Sequence, residues 1–220
     1  MTARLVELVT ADGLAAGATT VEEAHRAPGR LHRAFSVFLR DPHGRVLLQQ
    51  RAEAKTRFPL RWANSCCGHP APGEDVGVAA VRRLGEELGV SAAGLVEVGT
   101  YAYYAEDPET GRVEYEYDHV LLGDVPADLR LRTDPDEVAA LRWVALAALV
   151  DELEGGSRAY APWLSGVTTS LADHLARGAS DRLPRREAGL PEDRLRLDRF
   201  SGSAPESRRA DEAPERSGGR

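Results

Sequence analysis

Lysine is nearly missing from this chain: of 28 basic residues in 220, one is lysine, Lys55, and the rest are arginines. Arginine has replaced lysine throughout, so a lysine that persists hints at a place where a compact ammonium is wanted. Cysteine is also scarce. The two present, Cys66 and Cys67, are adjacent, which excludes a disulfide framework and points to a reducing cytoplasm. No apolar run reaches the length of a membrane span, and "MTARLVELVTADG" lacks the charged-then-apolar plan of a signal peptide, so neither membrane insertion nor export is expected. Basic residues are outnumbered by 35 acidic ones, and the net charge of −7 argues against a nucleic-acid surface.

What is present divides at Arg177. Residues 177–220 hold 11 Arg and 9 Asp or Glu among many Pro, Ser and Gly, and too few apolar residues to offset the entropy of ordering them. A disordered tail of net charge +2 is expected there. Residues 1–176 then form one folded domain of net charge −9, in which an anionic substrate needs local cations to hold it.

Within that domain "RLVELV" reads as a strand and "TTVEEAH" as a helical turn capped by Thr. "RLHRAFSVFLR" and "RVLLQQR" around "DPHG" read as a hairpin, with Phe35, Val37 and Leu39 on one face and His32, Ala34 and Ser36 on the other. "EDVGVAAVRRLGEELGV" reads as an amphipathic helix. Its expected apolar stripe is Val78, Val81, Leu84 and Leu88, its polar face carries Arg83 and Glu87, and Gly89 ends it. A second hairpin joins "VGTYAYYAE" to "RVEYEYDHVLLG", "LRWV" is a short strand, and "ALAALVDEL" and "PWLSGVTTSLADHLA" are helices. Hairpins with helices between and after them predict an α+β domain, layered α/β/α with a mixed sheet between helices.

The residues able to ligate metal are His25, His32, His69, Glu114, Glu116 and the cysteine pair. Adjacent cysteines do not easily share one tetrahedral ion, and no second ligand pair exists, so a structural zinc finger is excluded. Glu114 and Glu116 alternate with tyrosines and share a strand face, roughly 7 Å apart. On their own they read as a solvated strand face.

From Gly68 the pattern sharpens: Glu74 six residues on, then Arg82, Leu84, Glu86-Glu87 and a closing Gly-Val. This resembles the Nudix signature, except that Arg83 stands where a hydrolase carries a metal-binding glutamate. With "APGRLHRAFSVFL", "LLQQRAEAK", "WANSCCGHP", "GRVEYE" and "APW", the body from about Leu5 to Ala176 resembles the type 1 isopentenyl diphosphate isomerases, whose fold is a modified Nudix domain. The alternative reading is a Nudix hydrolase of a nucleoside diphosphate derivative.

The isomerase resemblance implies a small-molecule diphosphate substrate and a scheme for the scattered residues. His25, His32, His69, Glu114 and Glu116 would ligate one Mn²⁺ or Zn²⁺, and Glu87 a Mg²⁺ that arrives with the diphosphate. Arg51, Lys55 and Arg83 would be the cations around that diphosphate. Cys67 and Glu116 would transfer protons on opposite faces of an alkene, Glu116 as the donor hydrogen-bonded to Tyr104, with Trp163 offering its π face to a carbocation. Relatives commonly carry a lysine where this chain has Val21; Arg26 and Arg30 are the cations nearby, and nothing in the sequence places either one at the diphosphate. The same resemblance implies a monomer or weak homodimer.

Overall fold

A computed structural model describes residues 3–91 and 94–180. The chain opens with an antiparallel pair, β1 (Leu5–Val9) and β2 (Ala15–Thr20), in register from Leu5 opposite Thr20. A four-residue helix α1 (Val21–Ala24) follows. The Thr20 hydroxyl accepts from the Glu23 N–H at 3.2 Å, the cap expected from the sequence.

The centre of the sheet is β3 (His32–Arg40), buried along nearly its whole length. One edge runs parallel to β8 (Val113–Asp124), from His32 opposite Glu116 to Arg40 opposite Asp124. The other edge is shared in sequence by β1, by β6 (Cys66–Gly68) and by β4 (Arg45–Arg51). The expected β3–β4 hairpin is therefore corrected. The turn forms, held by Asp41 Oδ1 accepting from the N–H groups of His43 and Arg45, but the two strands pair only at Arg40 and Val46. Because β6 takes the edge that β4 would have used, β4 splays away to pair with β5 (Trp62–Ala63) and with β9 (Val138–Ala145). The second hairpin, β7 (Val96–Glu106) with β8, is antiparallel as expected.

Helices cover both faces of this mixed sheet. On one side α2 (Val76–Leu88) packs against Phe35, Val37, Leu39 and Leu47. On the other, α3 (Leu146–Glu154) and α4 (Leu164–Ser180) pack against Phe38, Leu48, Val120 and Leu122. The layered α+β expectation holds, and each buried leucine in these two cores adds roughly 1.5–3 kcal/mol. Helix α4 continues to Ser180, four residues past the expected domain edge, and the remainder of the tail lies outside the described residues.

The face of α2 is a second correction. Val78 and Val81 point outward, 60% and 37% exposed, and the buried positions are Ala79, Ala80, Arg83, Leu84, Glu87 and Leu88. Two alanines let the helix approach the sheet closely, and Arg83 and Glu87 go inside because each satisfies the other. Gly89 ends the helix at φ +67°, as read from the sequence.

Candidate active site

Five side chains from four places in the chain converge at one end of the sheet. His25 closes α1, His32 begins β3, His69 follows β6, and Glu114 and Glu116 lie two apart on β8. The pairing of His32 with Glu116 sets two of them side by side. The three imidazole rings have centroids 4.6–5.0 Å apart. His25 Nδ1 lies 2.6 Å from the Val21 carbonyl and His32 Nδ1 2.7 Å from that of Arg30, so each ring donates from Nδ1 and turns its Nε2 inward.

Those inward atoms have no hydrogen-bond partner. His25 Nε2, His32 Nε2 and Glu114 Oε2 are fully buried and unsatisfied, although His25 Nε2 and Glu114 Oε2 are only 2.9 Å apart. Ligand atoms of His25, His32, His69 and Glu116 all lie within 4.8 Å of one another. Orphaned ligand atoms among three imidazoles and a carboxylate fit a divalent metal ion, and the nitrogen-rich set suits a first-row transition dication.

Burial resists charge on His25, but Glu114 and Glu116 outweigh it and lift its pKa to about 9. Burial lowers His69 to about 4. Burial also resists the charge of Glu116, yet the three imidazoles hold it well below the usual carboxylate range.

Beside this centre a cavity of about 310 Å³ opens to solvent. The adjacent cysteines part there. Strand alternation sends Cys66 into the core beneath α2 and Cys67 to the cavity wall on the opposite face. The Cys67 thiol donates to Asn64 Oδ1 at 3.1 Å, and the same oxygen accepts from Trp163 Nε1 at 3.1 Å. Burial, with the charge of Asp118 adding to it, pushes the Cys67 pKa up to about 12, so the sulfur carries its proton. Glu116 and Trp163 line the same cavity.

The tyrosine on Glu116 is not the one expected. Tyr103 donates to Glu116 Oε2 at 2.6 Å and lines the cavity, whereas Tyr104 is 46% exposed and packs edge-on against Tyr115. The cause is register: Tyr103 is paired with Glu116 and Tyr104 with Tyr115, and a slip of one residue exchanges the two faces of a strand.

The three expected cations, Arg51, Lys55 and Arg83, all line the cavity. Lys55 pairs with Glu137, and Arg83 reaches Glu86, Glu87 and Glu137. Arg51 donates to the carbonyls of Arg57 and Phe58 and lies 5.3 Å over the Trp163 ring. Glu87 does not reach the wall; it is buried behind Arg83, with Gln49 donating to it at 3.3 Å. Neither Arg26 nor Arg30 lines the cavity, and Arg26 is paired with Glu22 and Glu23, so neither stands in for a cation at position 21.

Other residues of the site escape the sequence reading. Arg57 donates to Glu114 at 2.7 Å from a loop in which Phe58 adopts φ +45°. That conformation costs on the order of 1–3 kcal/mol in a non-glycine residue, and it is held by Asp107 accepting from the Phe58 N–H at 2.8 Å. Asn64 and Glu137 are equally unannounced. The one available signal was Asn64 within the quoted "WANSCCGHP".

The NUDIX domain family matches residues 30–164. The chain is 59% identical over 177 residues to a Nocardia farcinica protein named isopentenyl-diphosphate Delta-isomerase, covering 80% of this chain and 99% of that one. It is 52% identical to a Streptomyces coelicolor protein of the same name, over 67% of this chain and 74% of the relative. Among solved structures, DR0079 from Deinococcus radiodurans superposes with a TM-score of 0.61 at 19% identity, over 76% of this chain and 98% of that one, which establishes a shared fold.

Proposed function

The chain belongs to the isopentenyl-diphosphate Delta-isomerase family on a NUDIX domain, and we propose that Cys67 and Glu116 carry the two proton transfers of its reaction. The reaction interconverts isopentenyl and dimethylallyl diphosphate. One proton is added to the terminal alkene carbon, a tertiary carbocation forms, and a proton leaves the carbon on the other side of the cation. Atoms and charge balance, since one group gives what the other takes.

The observation that supports this reading is that Cys67, Glu116 and Trp163 line one cavity together with five cations. An unactivated alkene is a very weak base, so the site must offer a strong acid and shelter the cation. The pair holds one transferable proton. The group that holds it gives it to the alkene, the other receives from the neighbouring methylene, and the reverse reaction exchanges the roles. Tyr103 fixes the orientation of Glu116, and Asn64 fixes Cys67 and Trp163 through a single oxygen. The Trp163 ring offers π density to the cation.

Arg51, Lys55 and Arg83 would take the diphosphate, Lys55 and Arg83 exchanging carboxylate partners for phosphate oxygens. His25, His32, His69, Glu114 and Glu116 would hold Mn²⁺ or Zn²⁺, and Glu87, freed as Arg83 turns to phosphate, would meet Mg²⁺ carried by the substrate. A bound dication supplies fixed positive charge beside Glu116, making its protonated form a stronger acid.

The test is product identity. Incubation with isopentenyl diphosphate and Mg²⁺ should yield dimethylallyl diphosphate with no phosphate released. Phosphate or nucleotide release from a nucleoside diphosphate derivative, with no isomer formed, would replace this reading with the hydrolase one.

A further inference from the structure

Five cations line the cavity: Arg4, Arg51, Lys55, Arg57 and Arg83. Four carboxylates line it as well, so the protein's own charge there is close to balanced, with an excess of one cation. A diphosphate must be attracted by whichever cation is not already satisfied, because a paired cation gains only the difference between two anionic partners.

Three of the five are paired. Lys55 is held by Glu137, Arg57 by Glu114, and Arg83 by Glu87 and Glu137. Arg51 spends its Nε and Nη2 on the carbonyls of Arg57 and Phe58. Arg4 is different. Among the described residues its guanidinium makes no ion pair and no hydrogen bond, and the residue is exposed while lining the cavity. Partial burial, then the charges of Arg83 and Arg82, lower its pKa against the opposing pull of Glu86 and Glu137, so Arg4 stands within electrostatic reach of Arg83 without being paired.

The position of Arg4 is fixed by its backbone. Its carbonyl accepts from the Val21 N–H at 2.9 Å, which ties the lead-in to β1 onto the first residue of α1. Val21 lines the same cavity and brings no charge. The wall at that point is apolar at position 21 and cationic at the residue bonded to it.

We propose that Arg4 is a substrate-binding residue that grips the diphosphate beside Arg83, supplying from the strand lead-in the charge that Val21 does not supply from the helix. The proposal rests on the reading of this cavity as a diphosphate site. Being unpaired and exposed, Arg4 meets the anion first and gives up no carboxylate to bind it. Its contribution falls on association and affinity and leaves the proton transfers, deeper in the cavity, unaltered.

The experiment compares the metal-loaded wild type with Arg4→Ala, Arg4→Lys and Arg4→Ala/Val21→Lys. Arg4→Ala should raise KM for isopentenyl diphosphate about tenfold while kcat stays within about twofold, the signature of a lost charge-assisted contact. Calorimetric affinity for inorganic pyrophosphate should fall by a similar factor, and the KM of the wild type should rise more steeply with salt than that of the variant. Arg4→Lys and the double variant should each recover most of the loss, since both restore a cation at this corner. Unchanged KM and unchanged pyrophosphate affinity in Arg4→Ala would overturn the proposal, as would a fall in kcat alone. A wild type that binds pyrophosphate through Arg4 yet forms no isomer would break the isomerase reading and leave the role of Arg4 standing.

Discussion

The phenol of Tyr103 donates to Oε2 of Glu116 at 2.6 Å, across the β7–β8 pair that sets the two residues directly opposite each other. Oε1 of the same carboxylate is 2.7 Å from His69 Nε2, so both oxygens are oriented. Removing the phenol hydroxyl frees one oxygen of a proton-transferring group. Tyr103→Phe should lower kcat by about tenfold to a hundredfold, in the range of lost general acid–base assistance, and Tyr104→Phe should leave it within about twofold. Steady-state turnover of isopentenyl diphosphate reads both, and the reverse ranking would return the role to Tyr104.

Asn64 is the joint between Cys67 and Trp163. Asn64→Ala removes the one acceptor of the buried Trp163 N–H. The expected cost is roughly 1–3 kcal/mol of stability for an unsatisfied buried donor, with a fall in kcat as the thiol loses its orientation. Urea unfolding beside turnover separates the two effects. A variant equal to wild type in both would remove Asn64 from the account.

Much of this site was legible in the sequence because its residues lie in local patterns. The histidines, Cys67, Trp163 and the β8 glutamates stand in contiguous motifs, and strand alternation alone separates Cys66 from Cys67. The misses have a common cause in tertiary structure. Tyr103 and Tyr104 are indistinguishable until the register of the hairpin is known. Val78 and Val81 looked like core, but burial of the Arg83–Glu87 pair rotated α2 away from them. Arg57 and Glu137 lie in stretches with no periodicity, Arg4 heads a strand pattern that says nothing of its surroundings, and only the folded chain brings the three to the cavity.

The orphaned Nε2 atoms of His25 and His32 make metal content a direct measurement. Wild-type protein purified in metal-replete buffer should carry one dication at this centre, and His25→Ala or His32→Ala should carry less than about a tenth of that. Chelation should lower the melting temperature of the wild type, since a ligand present at 100 times its Kd stabilises by about 2.7 kcal/mol. Equal metal content in wild type and both variants would contradict the assigned ligands.

Glu137 gives the stability a pH signature. Although burial opposes its charge, Lys55 and Arg83 draw its pKa down from 4.5 to about 2. A carboxylate depressed in the folded state contributes stability that is complete above its unfolded value and is lost as pH falls from about 4.5 toward 2. The partly exposed pair limits this to about 2 kcal/mol. Urea midpoints measured from pH 6 to 3.5 should fall more steeply for wild type than for Glu137→Gln, and parallel curves would sink the linkage.

The central claim is that the second of two adjacent cysteines faces the substrate and transfers a proton. It is tested most directly by dimethylallyl diphosphate formation from isopentenyl diphosphate with Mg²⁺ in wild type, Cys66→Ala and Cys67→Ala. The account predicts turnover in wild type, turnover reduced little in Cys66→Ala, and a loss of at least about a thousandfold in Cys67→Ala. Turnover in Cys67→Ala equal to wild type would contradict it.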